Sequence, residues 1–123
     1  YYALEGLSSL LNTVTRVQKM LNPQLRIEGL LRTMYDPRNT LAQQVGSELV
    51  RHFGDKVYRT IVPRNVRLAE APSHGVPVLV LDKASKGAQA YLALAGEMLR
   101  RHEEADAIAA VAAAAESVPA PAA

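Results

Sequence analysis

The sequence contains no cysteine and no tryptophan, and its aromatic residues are five Tyr and one Phe. Without cysteine the chain can form neither disulfides nor thiolate metal sites, which fits a reducing compartment. With so few aromatics, a core must be built from Leu, Val, Ile and Ala. The apolar fraction of 49% is high enough for a folded domain, and a length of 123 residues suits a single one.

Long apolar runs and targeting signals are absent as well. No stretch of about eighteen apolar residues could form a transmembrane helix, and no signal-peptide pattern is present. The C-terminal part is acidic and rich in Ala, which is the opposite of a membrane-anchoring amphipathic helix. We therefore expect no membrane partner and a cytoplasmic location. Because the sequence begins with Tyr and enters a helix almost at once, we expect it to be a piece of a longer protein.

The common signatures of catalysis are also missing. No Gly-rich phosphate loop ending in Lys-Ser or Lys-Thr occurs, and the "SKGA" stretch at 85–88 has the wrong order and spacing. The histidines His52, His74 and His102 are far apart, and no paired carboxylates stand out. We predict no catalytic residue and no metal ligand in this chain.

Charge is unevenly distributed along the sequence. Up to His102 there are fourteen Lys and Arg against eight Asp and Glu, whereas four acidic residues and no basic ones follow. A basic body with an acidic tail indicates an anionic partner for the body. The alternative is ordinary surface charge that keeps the protein soluble.

Apolar periodicity and turn residues predict the elements of the first half. Pro23 ends the first helix, Thr40 and Gln43 have the spacing of a capping box, and Gly54 provides a C-terminal stop. The predicted elements are a helix over 4–21, a strand over 25–34 buried on both faces, a helix over 40–53 and a strand over 57–62.

The second half is predicted to be mainly helical. The "VRLAEA" stretch predicts about two turns before Pro72, "VPVLVLD" could be a strand, and a last helix follows a possible Ser85 cap. The apolar face of this last helix comprises Ala88, Tyr91, Leu92, Ala95, Met98 and Leu99. Alternating helices and strands predict an α/β fold, a parallel sheet with flanking helices. Residues 1–104 form the folded part, and 105–123 an acidic tail that is partly helical and then disordered.

Two strand ends carry the candidate site residues. Ligands of open parallel sheets bind beyond the carboxyl ends of the strands. Met34 can cover one face of a ring, and Pro63 with Asn65 could seat a purine, although proline and Asn end strands in many proteins. Arg38 and Arg67 follow the same two strand ends and could contact phosphates. Alternatively, each pairs with a nearby acid, Asp36 or Glu70.

Four stretches of the sequence resemble one family. They are "YYALEGLSSLLNT", "TMYDPR…LAQQV", "HFGDKVYRTIVPRNVRLAEAPSHG" and "SKGAQAYLALAGE". In this order and spacing they resemble the C-terminal half of ParA-type partitioning ATPases, which are deviant-Walker P-loop ATPases of the MinD and ParA group. The similarity covers residues 1–99 and leaves out the acidic tail.

The resemblance implies a chromosome- or plasmid-partitioning function. Such proteins bind ATP and Mg²⁺, form a homodimer and bind non-specific DNA at the nucleoid, and a ParB-type centromere-binding protein stimulates hydrolysis. The phosphate loop, the Mg²⁺ ligands and the catalytic groups of the family lie in the N-terminal half. We therefore expect this chain not to hydrolyse ATP alone.

Individual positions carry the resemblance further. Met34, Pro63 and Asn65 match the adenine pocket of the family, and Arg38, Arg67 and, more weakly, Lys86 match its DNA-contacting positions. In "PRNT" the last two residues are transposed relative to the family, which could shift the helix cap by one residue. Two other readings remain: a truncated, non-hydrolysing module that binds DNA or a protein partner, and a small metabolic P-loop-like enzyme.

Overall fold

A computed structural model describes residues 2–122. The secondary-structure elements follow one another as helix, strand, helix, strand and three further helices, with one 3₁₀ turn at Gly54–Lys56 before the second strand. The helices are α1 (Tyr2–Met20), α2 (Thr40–Phe53), α3 (Val66–His74), α4 (Val78–Leu81) and α5 (Lys86–Glu116), and the strands are β1 (Leu30–Tyr35) and β2 (Val57–Pro63).

The two strands are parallel neighbours, which confirms the predicted α/β class with flanking helices. Leu30 pairs with Val57 and Tyr35 pairs with Pro63, so both strands end at the same edge. We call this edge the rim. Val57, Tyr58 and Val62 of β2 are buried. β1 is not buried on both faces as predicted, because its residues are half-buried or, at Thr33 and Met34, exposed.

The ladder between the strands is interrupted in its middle. Arg32 pairs with Ile61, so between this pair and the first one a single residue of β1 lies opposite three residues of β2. The backbone N–H groups of Arg59 and Thr60 in the longer stretch donate to the carboxylate of Glu97 on α5, at 2.7 and 3.0 Å. This carboxylate fastens α5 to β2, where it is buried.

Two predicted boundaries in the first half are corrected. β1 begins at Leu30 rather than 25, because Leu30 is the first residue that pairs with β2. The cap of α2 is Asn39 rather than Thr40: its side-chain oxygen accepts from the N–H of Leu41 at 3.0 Å. Gln43 does not complete a capping box, since its amide donates to the carbonyl of Pro37.

Two more predictions fail after β2. α3 continues through Pro72 to His74 and ends where Gly75, at φ 64°, donates its N–H to the carbonyls of Ala71 and Pro72. The stretch predicted as a possible strand forms the one-turn helix α4. Pro77 opens this turn, and its carbonyl accepts from the N–H of Val80 at 2.9 Å, so the turn satisfies its own backbone.

The last helix is a single element of 31 residues, about 46 Å long. Ser85 caps it as predicted, with its hydroxyl accepting from the N–H of Ala88 at 3.2 Å. Ala88 and Glu97 are buried against the rest of the fold, whereas Tyr91, Leu92 and Leu99, predicted as packing residues, are exposed. The helix extends well into the predicted tail, and every residue from 102 to 122 is exposed.

Candidate functional site

The carboxyl ends of β1 and β2 place the two predicted strand ends side by side. The N–H of Arg64, just after β2, donates to the carbonyl of Tyr35 at 3.1 Å, which extends the pairing by one residue beyond the ladder. Two adjoining depressions open at this rim, and between them they contain five of the six predicted site residues.

The first depression, the apolar cleft, has a volume of 530 Å³. Met34, Pro63 and Asn65, which the sequence analysis assigned to base binding, all line it, together with Tyr91 from α5. Its volume lies within the usual range for small-molecule sites. An aliphatic floor with an aromatic ring and one amide suits a flat, partly polar ring.

Asn65 has a structural role as well as a place in the cleft. Its side-chain oxygen accepts from the N–H of Leu68 at 3.4 Å, which makes Asn65 the cap of α3. This bond fixes the orientation of the amide, and its NH₂ donors have no partner within the described chain. The amide can therefore donate to an acceptor in the apolar cleft without releasing the helix.

Met34 adopts a backbone conformation that is unusual for its residue type. Among residues 2–122 it is the only non-glycine residue with positive φ, at 54°. Such a conformation costs on the order of 1–3 kcal/mol and tends to occur at functional sites. Met34 is 68% exposed and lines the apolar cleft, so packing does not account for the strain.

The second depression, the basic concavity, has a volume of 600 Å³ and is lined by Arg38, Arg64 and Lys86 around Asp36. Arg38 binds Asp36 through two side-chain hydrogen bonds of 3.0 and 2.9 Å. These bonds, with that from the backbone N–H of Arg38, lower the pKa of Asp36 to about 2. Three cations and one carboxylate leave the basic concavity positive.

Arg67 is the predicted site residue that lines neither depression. Its guanidinium binds Glu70 at 2.8 Å and Asp82 at 3.3 Å, so it joins α3 to the end of α4. The ion-pair alternative considered for both arginines is thus present in each case. Arg38 differs in exposure, because its side chain is 88% exposed against 52% for Arg67.

A larger cavity of 780 Å³ lies at the opposite end of β2, between that strand and α5. Its central groups already have partners: Glu97 binds the backbone of β2, and Arg101 donates to the carbonyl of Val57 at 3.0 Å and stacks on Tyr58. We therefore place the candidate site at the rim rather than in this larger cavity. Within the described chain, no three His, Asp or Glu side chains form a group that could hold a metal ion.

Two contributions to the rim were missed by sequence reasoning. Tyr91 was assigned to the core although it lines the apolar cleft, and Gly87 allows α5 to approach α3. Arg64, a basic residue just past the end of β2, lines both depressions. No sequence pattern indicated that Tyr91 faces the rim, because its helical spacing fits a core position equally well.

Comparison with known proteins identifies the family. Residues 4–78 match the CobQ/CobB/MinD/ParA nucleotide binding domain. The chain is 60% identical over 98 residues to the sporulation initiation inhibitor protein Soj of Bacillus subtilis, and the aligned residues are 80% of this chain and 39% of that protein. It is 52% identical over 110 residues to the chromosome partitioning protein ParA of Caulobacter vibrioides, and that alignment includes 89% of this chain and 41% of ParA.

A third relative is the chromosome-partitioning ATPase Soj of Thermus thermophilus, 54% identical over 105 residues, with 85% of this chain and 42% of that protein covered. The chain spans about two fifths of the length of these relatives. Among residues 2–122, no helix is both long and apolar enough to cross a membrane. The family match and the identities place the chain in the CobQ/CobB/MinD/ParA nucleotide-binding family, with ParA and Soj proteins among its relatives.

Proposed function

We propose that this chain supplies the base-binding pocket and part of the DNA-binding surface of an ATP-dependent chromosome- or plasmid-partitioning protein. One observation carries the proposal: the apolar cleft and the basic concavity adjoin each other at one rim and share Pro63 and Arg64. A base in the first and a phosphate backbone at the second could then be bound by a single surface.

The apolar cleft fits the adenine of ATP in its residue types. Met34 offers a soft, polarisable wall, Tyr91 offers a ring, and the free NH₂ of Asn65 offers a donor to a ring nitrogen. No residue of this chain is assigned to the phosphates or to Mg²⁺. In the full-length protein, we propose that ATP and Mg²⁺ bind together, with the base held by the apolar cleft.

The basic concavity fits a phosphate backbone. Arg38 and Lys86 are exposed, and Lys86 opens α5, so that its ammonium lies at the positive end of a long helix. Contacts of this type give affinity without sequence preference and weaken steeply with salt. We propose Arg67 as a further phosphate contact outside the two depressions, which it can make by exchanging its ion pairs with Glu70 and Asp82 for a phosphate.

The remaining parts of the proposal rest on the similarity to known relatives. Of the three relatives described above, one is named a chromosome partitioning protein and another a chromosome-partitioning ATPase. By analogy we propose a cytoplasmic, nucleoid-associated protein that forms a homodimer with ATP and responds to a ParB-type partner.

The test uses the full-length protein and the double variant Arg38→Glu with Arg67→Glu. We expect loss of non-specific DNA binding while ATP-dependent dimerisation is retained, as measured by gel retardation and sedimentation. The control is Arg51→Glu with Arg59→Glu, which makes the same change in net charge at exposed arginines outside both depressions. Retention of DNA by the first variant, or equal loss in both, would refute a local contact at the rim.

A second function has one observation in its favour. The sequence of the chain contains no phosphate loop, so on its own it would act as a non-hydrolysing module that binds DNA or a full-length partner. Hydrolysis measurements separate the two proposals. A full-length protein that turns over ATP, with turnover lost on substitution of its phosphate-loop lysine, supports the partitioning ATPase.

A further inference from the structure

Arg64 lies on the wall that separates the two depressions at the rim. It lines the apolar cleft with Pro63 and Asn65, and it lines the basic concavity with Arg38 and Lys86. Of the three basic residues in the basic concavity, it is the only one that also lines the apolar cleft. Anything bound in one depression therefore meets the same side chain as anything bound in the other.

The backbone of Arg64 is held firmly on both sides. Its N–H donates to the carbonyl of Tyr35 at 3.1 Å. Pro63 before it pairs with β1, and Asn65 after it caps α3. A ligand at the rim would thus reorient the side chain rather than shift the loop.

The side chain of Arg64, in contrast, is free to move. It is exposed and makes no hydrogen bond or ion pair within the described chain, whereas Arg38 is bound to Asp36 and Arg67 to Glu70 and Asp82. Its positive charge nevertheless acts on the basic concavity, since Arg64 is one of the groups that lower the pKa of Asp36. A long cationic side chain on a fixed backbone can point toward either depression.

We propose that Arg64 links occupancy of the apolar cleft to phosphate binding in the basic concavity, an inference that rests on the proposed function. A base that fills the apolar cleft excludes the Arg64 side chain from that side. The guanidinium then lies in the basic concavity, where it adds a third cation for a DNA phosphate. With the apolar cleft empty, the side chain is shared between the two sides and the basic concavity binds phosphate less tightly.

The test measures coupling rather than affinity alone. In the full-length protein, DNA affinity is determined with and without a non-hydrolysable ATP analogue, and analogue affinity with and without a short DNA duplex. For the unaltered protein we expect each ligand to raise the affinity of the other by the same factor, about 5-fold or more. In Arg64→Gln both factors should fall toward one while analogue-dependent dimerisation and the thermal unfolding midpoint are retained.

The control is Arg59→Gln, which removes an exposed arginine of β2 outside both depressions and should leave the coupling unchanged. If Arg64→Gln lowers DNA affinity equally with and without the analogue, Arg64 is a simple phosphate contact and the inference is wrong, although the proposed function stands. DNA affinity of the unaltered protein that does not depend on the analogue would also refute the inference. Absence of any DNA binding by the unaltered protein would remove the proposed function itself.

Discussion

Glu97 accepts a 2.7 Å hydrogen bond from the backbone N–H of Arg59, a residue 38 positions earlier in the chain. The other oxygen of the same carboxylate accepts from the next N–H along β2, that of Thr60. These two donors lie where the ladder between β1 and β2 is interrupted, so a side chain of α5 replaces the missing strand partner. Burial by itself raises the pKa of Glu97, but hydrogen bonding from Thr60 and Arg59, together with the Arg101 guanidinium, outweighs it and lowers the pKa.

Replacement of this carboxylate should destabilise the fold. In Glu97→Gln one backbone N–H loses its acceptor, and an unsatisfied buried donor costs about 1–3 kcal/mol at neutral pH. Because the folded-state pKa is lowered, the carboxylate contributes its full stability above the unfolded-state pKa of about 4.3. That contribution is lost as the pH falls through the folded-state value. The free energies of unfolding of the unaltered protein and of Glu97→Gln, measured in urea, should differ most at neutral pH and become more alike in acid.

Glu104→Gln is the matched control for this experiment. Glu104 is an exposed glutamate on the same helix, two turns beyond Glu97. Its substitution should change the free energy of unfolding by no more than about 0.5 kcal/mol. An equal effect of both substitutions, or a gap that does not depend on pH, would contradict the assigned role of Glu97.

Sequence reasoning found the rim but not the contacts that build it. Residues that end strands, such as Pro63, have a local signature, and the parallel arrangement follows from the alternation of elements. Glu97 has no such signature, because its partners are backbone groups of a strand distant in sequence. The same limit explains the failure at Pro77: whether an apolar stretch forms a strand depends on a pairing partner, which local sequence does not reveal.

Asp36 should restrain the binding of polyanions by Arg38. Each guanidinium–carboxylate bond has to be exchanged for a phosphate contact, so Asp36→Asn should free Arg38 and remove one negative charge from the basic concavity. We expect tighter DNA binding and a steeper dependence of affinity on salt, measured by titration at several ionic strengths. Asp55→Asn, which makes the same charge change outside both depressions, is the control. Unchanged or weaker binding by Asp36→Asn would show that Arg38 acts through its ion pair and not through phosphate.

Asn65 should serve the fold and the base through different atoms, and two substitutions separate these roles. Asn65→Asp keeps an oxygen that can cap α3 but has no NH₂ donor, whereas Asn65→Ala loses both. We expect Asn65→Ala to cost about 1 kcal/mol of stability and Asn65→Asp to cost little. Both should reduce the preference of the full-length protein for ATP over a triphosphate with another base, in competition binding. Loss of affinity for all bases alike in Asn65→Asp would contradict a base contact.

Gly87 should be required for the close approach of α5 to α3. A Cβ at this position would lie 2.5 Å from Cγ of Leu68 and 3.0 Å from the side-chain oxygen of Asn65. Because Cγ is the branch point of Leu68 rather than a flexible end, the added methyl must move α3 and with it one wall of the apolar cleft. Gly87→Ala should therefore cost about 1–3 kcal/mol of stability and weaken nucleotide binding together with it.

In Gly96→Ala, the matched control on the same helix, the added Cβ meets only the mobile end of Arg100 at 3.2 Å. The helix preference for Ala should there make the change neutral or stabilising by up to about 1 kcal/mol, and equal loss of stability in both variants would refute the assigned packing role.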